Sequence, residues 1–95
     1  MQSKEQKYLT IFENCDNFVA LGRHIAYYRK RAGLTQLKLS EKVNVSRSYL
    51  GRIEAAGMNQ RFSFELFFNI CRTLDVPPEY FFKPLPGPGS KQLKH

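Results

Sequence analysis

The chain has 95 residues, 42% apolar and 24% charged, which leaves room for one small domain with a single core and excludes a disordered chain. Fifteen lysines and arginines against eight acids give a net charge of +7, which favours an anionic partner without saying which. The two cysteines, Cys15 and Cys71, are too few and too far apart for a zinc site or a redox pair, and no apolar run reaches the ~18–20 residues of a membrane span. The first residues are mixed and polar, unlike a secretory signal, so a cytoplasmic location is expected by default.

Residues 1–15 carry a faint helical pattern. Ser3 and Gln6 have capping-box spacing, and Tyr8, Ile11, Phe12 and Cys15 follow at i, i+3, i+4 and i+7. The pattern suits an added helix packed on the core, a dimer-forming arm or a frayed end. Asp16 or Asn17 is placed to cap the next helix, which runs to about Arg31. Leu21, Ile25 and Tyr28 form its buried stripe, with Phe18 one turn earlier and His24 expected on the exposed side. Arg23, Arg29, Lys30 and Arg31 make it basic, and cations in the last turn suit the helix dipole. Gly33 then ends it as a left-handed cap.

The stretch Leu34–Glu54, LTQLKLSEKVNVSRSYLGRIE, reads as two short helices joined by a tight turn. Thr35 caps the first, from Gln36 to about Val43, and Ser46 caps the second, from Arg47 to about Ala55. Asn44 in the Asn44-Val45 turn suits a left-handed conformation. Leu39, Val43, Val45, Leu50 and Ile53 can face one core. Arg47 with Gly51 and Ser48 with Arg52 are i, i+4 pairs on the opposite face. That face is polar, basic and free of acid. A guanidinium there can donate a bidentate pair to guanine O6 and N7 in the major groove. On an isolated helix the same pattern would more often be a solvated face; the helix-turn-helix context reverses the weighting. The free N–H groups at Thr35–Leu37 suit a phosphate, and Tyr49 is either a backbone contact or a half-buried packing residue.

After Glu54, Ala55-Ala56 can extend the helix by part of a turn, with Gly57 as its stop. In the loop that follows, Asn59, Gln60 and Arg61 are suited to donating to phosphate oxygens, or equally to being a solvated loop. Ser63 caps the next helix, with Glu65 in its first turn, and Phe64, Phe67, Ile70, Cys71 and Leu74 have core spacing. Val76 and Pro77 lead into a last short helix, PPEYFF, from which Phe81 and Phe82 close the core. Leu66, Phe68 and Tyr80 are left over; clustered, they would mark a subunit interface. The chain thus divides into an extension, 1–15, a domain, 16–83, and a basic Pro/Gly/Lys-rich tail, 84–95, expected to be disordered. His24 and His95 have no partnered nucleophile, and metal, phosphate-loop and dinucleotide fingerprints are absent, so no enzyme, metal or cofactor is expected.

The phrases GLTQ at 33–36, Leu39-Ser40 and VSRSYLGRIE at 45–54 closely resemble the phage-repressor (Cro/CI-like, also called XRE) helix-turn-helix domains. The resemblance covers about Phe18 to Phe82, supported by LGRHIAYYRKRAG before and FSFELFFNICRTLDVPPEYFF after. Asn44 and Asp75 stand where the family has glycine, the connection after Glu54 is about two residues longer, and Leu66, Phe68 and Tyr80 replace usual polar residues. The resemblance implies an all-α fold: a compact five-helix, lambda-repressor-like bundle. It places Cys71 at a small core position, where a buried free thiol is expected. It implies sequence-specific binding of double-stranded DNA by a transcriptional regulator, most often a repressor. Arg47, Ser48 and Arg52 would read bases. Gln36 would donate to a phosphate and brace the reading helix, with Thr35, Tyr49, Asn59 and Arg61 as further phosphate contacts. It also implies an inward-facing Arg29 paired to Glu54, forming a largely buried ion pair. A domain this small reads few base pairs, so a homodimer on a palindromic site with half-sites ~34 Å apart is expected. No small-molecule effector domain remains, whereas control by a partner protein, as in antitoxins of this family, stays open. The alternative is a protein-interaction module of the same fold, which should carry apolar or acidic residues where this chain has two arginines.

Overall fold

The structure is a computed structural model that describes residues 15–55, 58 and 60–86. The helical pattern in residues 1–14, the Ala56-Gly57 stop, Asn59 and the tail from residue 87 lie outside the described residues. Among the described residues four α-helices follow in order: α1, Cys15–Arg31; α2, Gln36–Lys42; α3, Arg47–Glu54; and α4, Phe64–Leu74. A 3₁₀ helix, Pro78–Phe82, takes the place of the expected fifth α-helix. Prolines 77 and 78 donate no backbone hydrogen bond, and the segment closes with i→i+3 bonds, Tyr80 N–H to Pro77 O at 3.0 Å and Lys83 N–H to Tyr80 O at 3.4 Å. The described residues contain no strand.

Three helices end in the same way. After α1, Gly33 has φ 78°, its N–H donates to Lys30 O, and Leu34 N–H reaches back to Arg29 O. After α2, Asn44 (φ 62°) donates to Glu41 O and Val45 to Ser40 O. After α4, Asp75 (φ 58°) donates to Arg72 O and Val76 to Cys71 O. Each left-handed residue thus satisfies carbonyls that a helix end would leave bare. Asn and Asp tolerate the positive φ that would penalise most side chains, so the two turns without glycine survive. At the other ends Thr35, Ser46 and Ser63 accept from the N–H groups of Lys38, Tyr49 and Leu66.

The core gathers Ile25 of α1, Leu39 of α2 and Val43 at its C-terminal cap, Leu50 and Ile53 of α3, five residues of α4, and Phe81. Leu66 belongs to it, although the sequence pattern left it aside: Leu66, Phe67, Ile70, Cys71 and Leu74 form one stripe along α4. Phe64 and Phe82, expected in the core, are instead 65% and 68% exposed. Phe64 is the first residue of α4, at the margin of its stripe. Neighbouring side chains on a 3₁₀ helix point about 120° apart, so burying Phe81 turns Phe82 outward. Phe68 and Tyr80 are exposed in different settings, Phe68 beside Phe64 and Phe67, Tyr80 beside Tyr28 and Val76. Cys71 is a buried free thiol, and burial pushes its pKa up to about 11.

Two further expectations change. The described part of α1 begins at Cys15, so Asp16 and Asn17 are both inside its first turn rather than capping it. His24 is buried, because the chain after the 3₁₀ helix runs across that side of α1. Its ring lies between the carbonyl oxygens of Ala20 (Nδ1, 2.7 Å) and Lys83 (Nε2, 2.5 Å), near Phe81. On the other side α1 meets α3 so closely that a Cβ at Gly22 would overlap the carbonyl of Ile53. This crossing fixes the height of α3 on the core.

Candidate nucleic-acid interface

α3 has eight residues and two faces. Leu50 and Ile53 are buried, while Arg47, Ser48 and Arg52 are exposed. Alone, so short a helix would be marginal in water, and its stability comes from the packed face and its cap. It ends at Glu54. Ala55, exposed and without a core contact to hold it, turns to extended backbone (φ −76°, ψ 123°) while its N–H still donates to Gly51 O.

Behind the helix, Glu54 is tied to α1 and α2 at once. Arg29 Nε donates to Glu54 Oε2 at 2.7 Å and Arg29 Nη2 to Oε1 at 2.8 Å, a bidentate pair with both side chains under a tenth exposed. Arg29 Nη1 donates to Leu34 O at 2.8 Å, and Gln36 Nε2 donates to Glu54 Oε1 at 3.0 Å. The carboxylate therefore fixes the C-terminal end of α3 to the first helix and to the start of α2, and Arg29 ties the turn between them to the same cluster. Gln36 also lies beside Gly51; a Cβ there would sit 3.6 Å from its Oε1, ordinary contact, so crowding does not require the glycine.

In front, the exposed side chains are held more loosely. Arg52 Nη1 donates to Ser48 Oγ at 3.2 Å and Nε to Gln60 Oε1 at 3.2 Å, with its Cζ 5.7 Å from the Tyr49 ring centroid. Gln60 Nε2 donates to Arg61 O, and the Tyr49 hydroxyl donates to the same carbonyl at 3.0 Å. Gln60 and Arg61 thus lie alongside the helix, and Gln60 aims one of its arginines. These bonds use two of the five N–H groups of Arg52, leaving enough for a bidentate contact. Among the described residues the side chain of Arg47 makes no hydrogen bond, and no exposed acid shares this face.

Of the residues singled out in sequence, Arg47, Ser48 and Arg52 share the outer side of α3 with Tyr49 at its edge. Thr35 and Gln36 lie at the start of α2, where Thr35 Oγ is already the acceptor of the cap. Arg61 is exposed, its guanidinium 6.0 Å from the Phe18 ring. Gln60, which the sequence suits to a phosphate contact or to a solvated loop, holds Arg52 instead, a contact across eight positions that no local pattern encodes. Among the described residues no cluster of His, Cys, Asp and Glu could hold a metal ion, and no helix is long and apolar enough to cross a membrane. Residues 25–81 match the family model described as helix-turn-helix. The comparison with curated proteins found no match.

Proposed function

Because the chain belongs to the XRE-type, Cro/CI-like helix-turn-helix family of DNA-binding regulators, we propose that it is a sequence-specific repressor that lays α3 in the major groove of double-stranded DNA. The observation that carries this reading is the exposed, acid-free side of α3, with Arg47, Ser48 and Arg52 together on a helix anchored from behind.

Arg47 and Arg52 donate to guanine edges in this reading, and Ser48 either contacts a base or holds Arg52. Gln36 has a second amide hydrogen beyond the one given to Glu54, and that hydrogen serves a phosphate. Thr35, Arg61 and Asn59, the last outside the described residues, add phosphate contacts that fix register. Tyr49 has one hydroxyl hydrogen, already given to Arg61 O, so its part is chiefly packing. The protein acts as a homodimer on an inverted repeat with half-sites ~34 Å apart, since one α3 spans few base pairs.

Selection of bound sites from random double-stranded DNA tests this. Enrichment of an inverted repeat is expected; recovery of unrelated sequences, or of none, contradicts it. Affinity for the enriched site should fall with salt at a slope near −0.9 per phosphate neutralised.

A further inference from the structure

A groove of about 650 Å³ opens between the start of α1, the start of α4 and the chain after the 3₁₀ helix. Leu21, Phe67 and Phe81 form its floor, and Phe18, Phe64 and Phe82 stand around it. Phe18 packs edge-on against Phe62 at 5.2 Å, and Phe82 lies 6.0 Å from Phe67. Two aromatic side chains about two-thirds exposed, beside an apolar groove, are more than the scattered exposure of an ordinary surface. The polar groups that border it are already engaged. His24 lies between two carbonyls, Ser63 Oγ caps α4, the Lys83 ammonium sits over the Tyr80 ring, and Asn17 has a partner as well. The groove therefore offers apolar contact and no vacant polar side chain, so its occupant must present an apolar surface.

We propose that residues 1–14 of the same chain dock in this groove as an amphipathic helix, seating Tyr8, Ile11 and Phe12 against Phe18, Phe64 and Phe82. Their spacing puts these three residues on one face of a helix, the form in which apolar side chains enter a groove of this kind. The position fits. The segment joins the domain at Cys15, two residues before Asn17, the first residue to line the groove. The lengths fit as well. Ten helical residues, 3–12, span about 15 Å, and the α1 stretch from Asn17 to His24 along the groove spans about 10 Å. A reversal at Glu13-Asn14 lies within the length of common helix–helix connections. Two lysines and two glutamates leave the segment without net side-chain charge, so the basic domain does not repel it. The same segment from a second copy would make the same contacts, but a tethered one has an effective concentration on the order of millimolar and closes only a short loop.

The test uses the full chain, as an equal mixture of isotope-labelled and unlabelled copies. Filtered nuclear Overhauser spectra should show contacts from the Ile11 methyl groups to the Phe64 and Phe82 rings within labelled copies and none between copies. Contacts only between copies would assign the groove to a second chain, and the absence of any contact would leave it without this occupant; either overturns the proposal. In parallel, Ile11→Asp with Phe12→Asp should lower the melting temperature by about 5 °C or more. Gln6→Asp, on the opposite side of the segment, should leave it nearly unchanged. Equal, small shifts in both variants would also overturn it.

Discussion

Arg29 and Arg52 carry the same guanidinium on opposite sides of one short helix. Arg29 is buried and spends its donors on Glu54 and Leu34 O at 2.7–2.8 Å. Arg52 is exposed, with two bonds of 3.2 Å to the uncharged side chains of Ser48 and Gln60. Shorter, charge-assisted bonds out of water fix the first; longer, solvated ones only bias the second. The contrast separates two tasks. Behind α3 the chain spends charge on holding the helix, and in front it keeps charge available to an outside partner.

The contrast can be broken from behind with the largest effect. Glu54→Ala leaves Arg29 buried without its carboxylate and should cost ~3–5 kcal/mol, enough to threaten a domain of this size. A thermal melt checks it; a drop of only one or two degrees would mean that the pair anchors nothing. Replacing both partners, Arg29→Met with Glu54→Leu, should cost much less than Glu54→Ala, because no uncompensated charge remains. That outcome would show that the pair serves position more than stability.

Gly22→Ala should follow, at about 3 kcal/mol. The added methyl meets the backbone of Ile53 rather than a side chain that can swing away, so α1 and α3 must part. Because α3 then shifts with its arginines intact, DNA affinity should fall with stability, measurable by melting and by fluorescence anisotropy on the selected duplex. A fully stable Gly22→Ala protein would place the crossing elsewhere.

Gln60→Ala sharpens the comparison from the front. It frees Arg52 on one side without touching the core, so stability should stay within about 0.5 kcal/mol of the parent. Preference at the base that Arg52 reads should weaken while the salt slope stays the same. A changed salt slope with unchanged base preference would make Gln60 a phosphate contact instead.

The features that sequence revealed are those written in local chemistry. Gly33, Asn44 and Asp75 mark the left-handed ends, and Thr35, Ser46 and Ser63 mark the starts, because each acts on backbone groups a few residues away. Arg29 and Glu54 were paired by resemblance, since their contact spans 25 positions and no spacing rule would bring them together. What stayed hidden depends on where distant chain runs. His24 is buried only because Lys83 crosses above it. Phe64 is exposed because it lies at the margin of the α4 stripe, and Phe82 because Phe81 takes the core position beside it. Arg52 is aimed by Gln60, eight positions further along the chain.

The central claim, that the outer face of α3 reads bases, is met most directly by measuring Arg52→Ala and Arg47→Ala on the selected duplex and on random duplex at one salt concentration. Each variant should lose ~1–3 kcal/mol on the selected site, lose much less on random DNA, and become indifferent to the base at one position in each half-site. Equal losses on both duplexes, with every base preference retained, would make these arginines phosphate contacts and contradict the account.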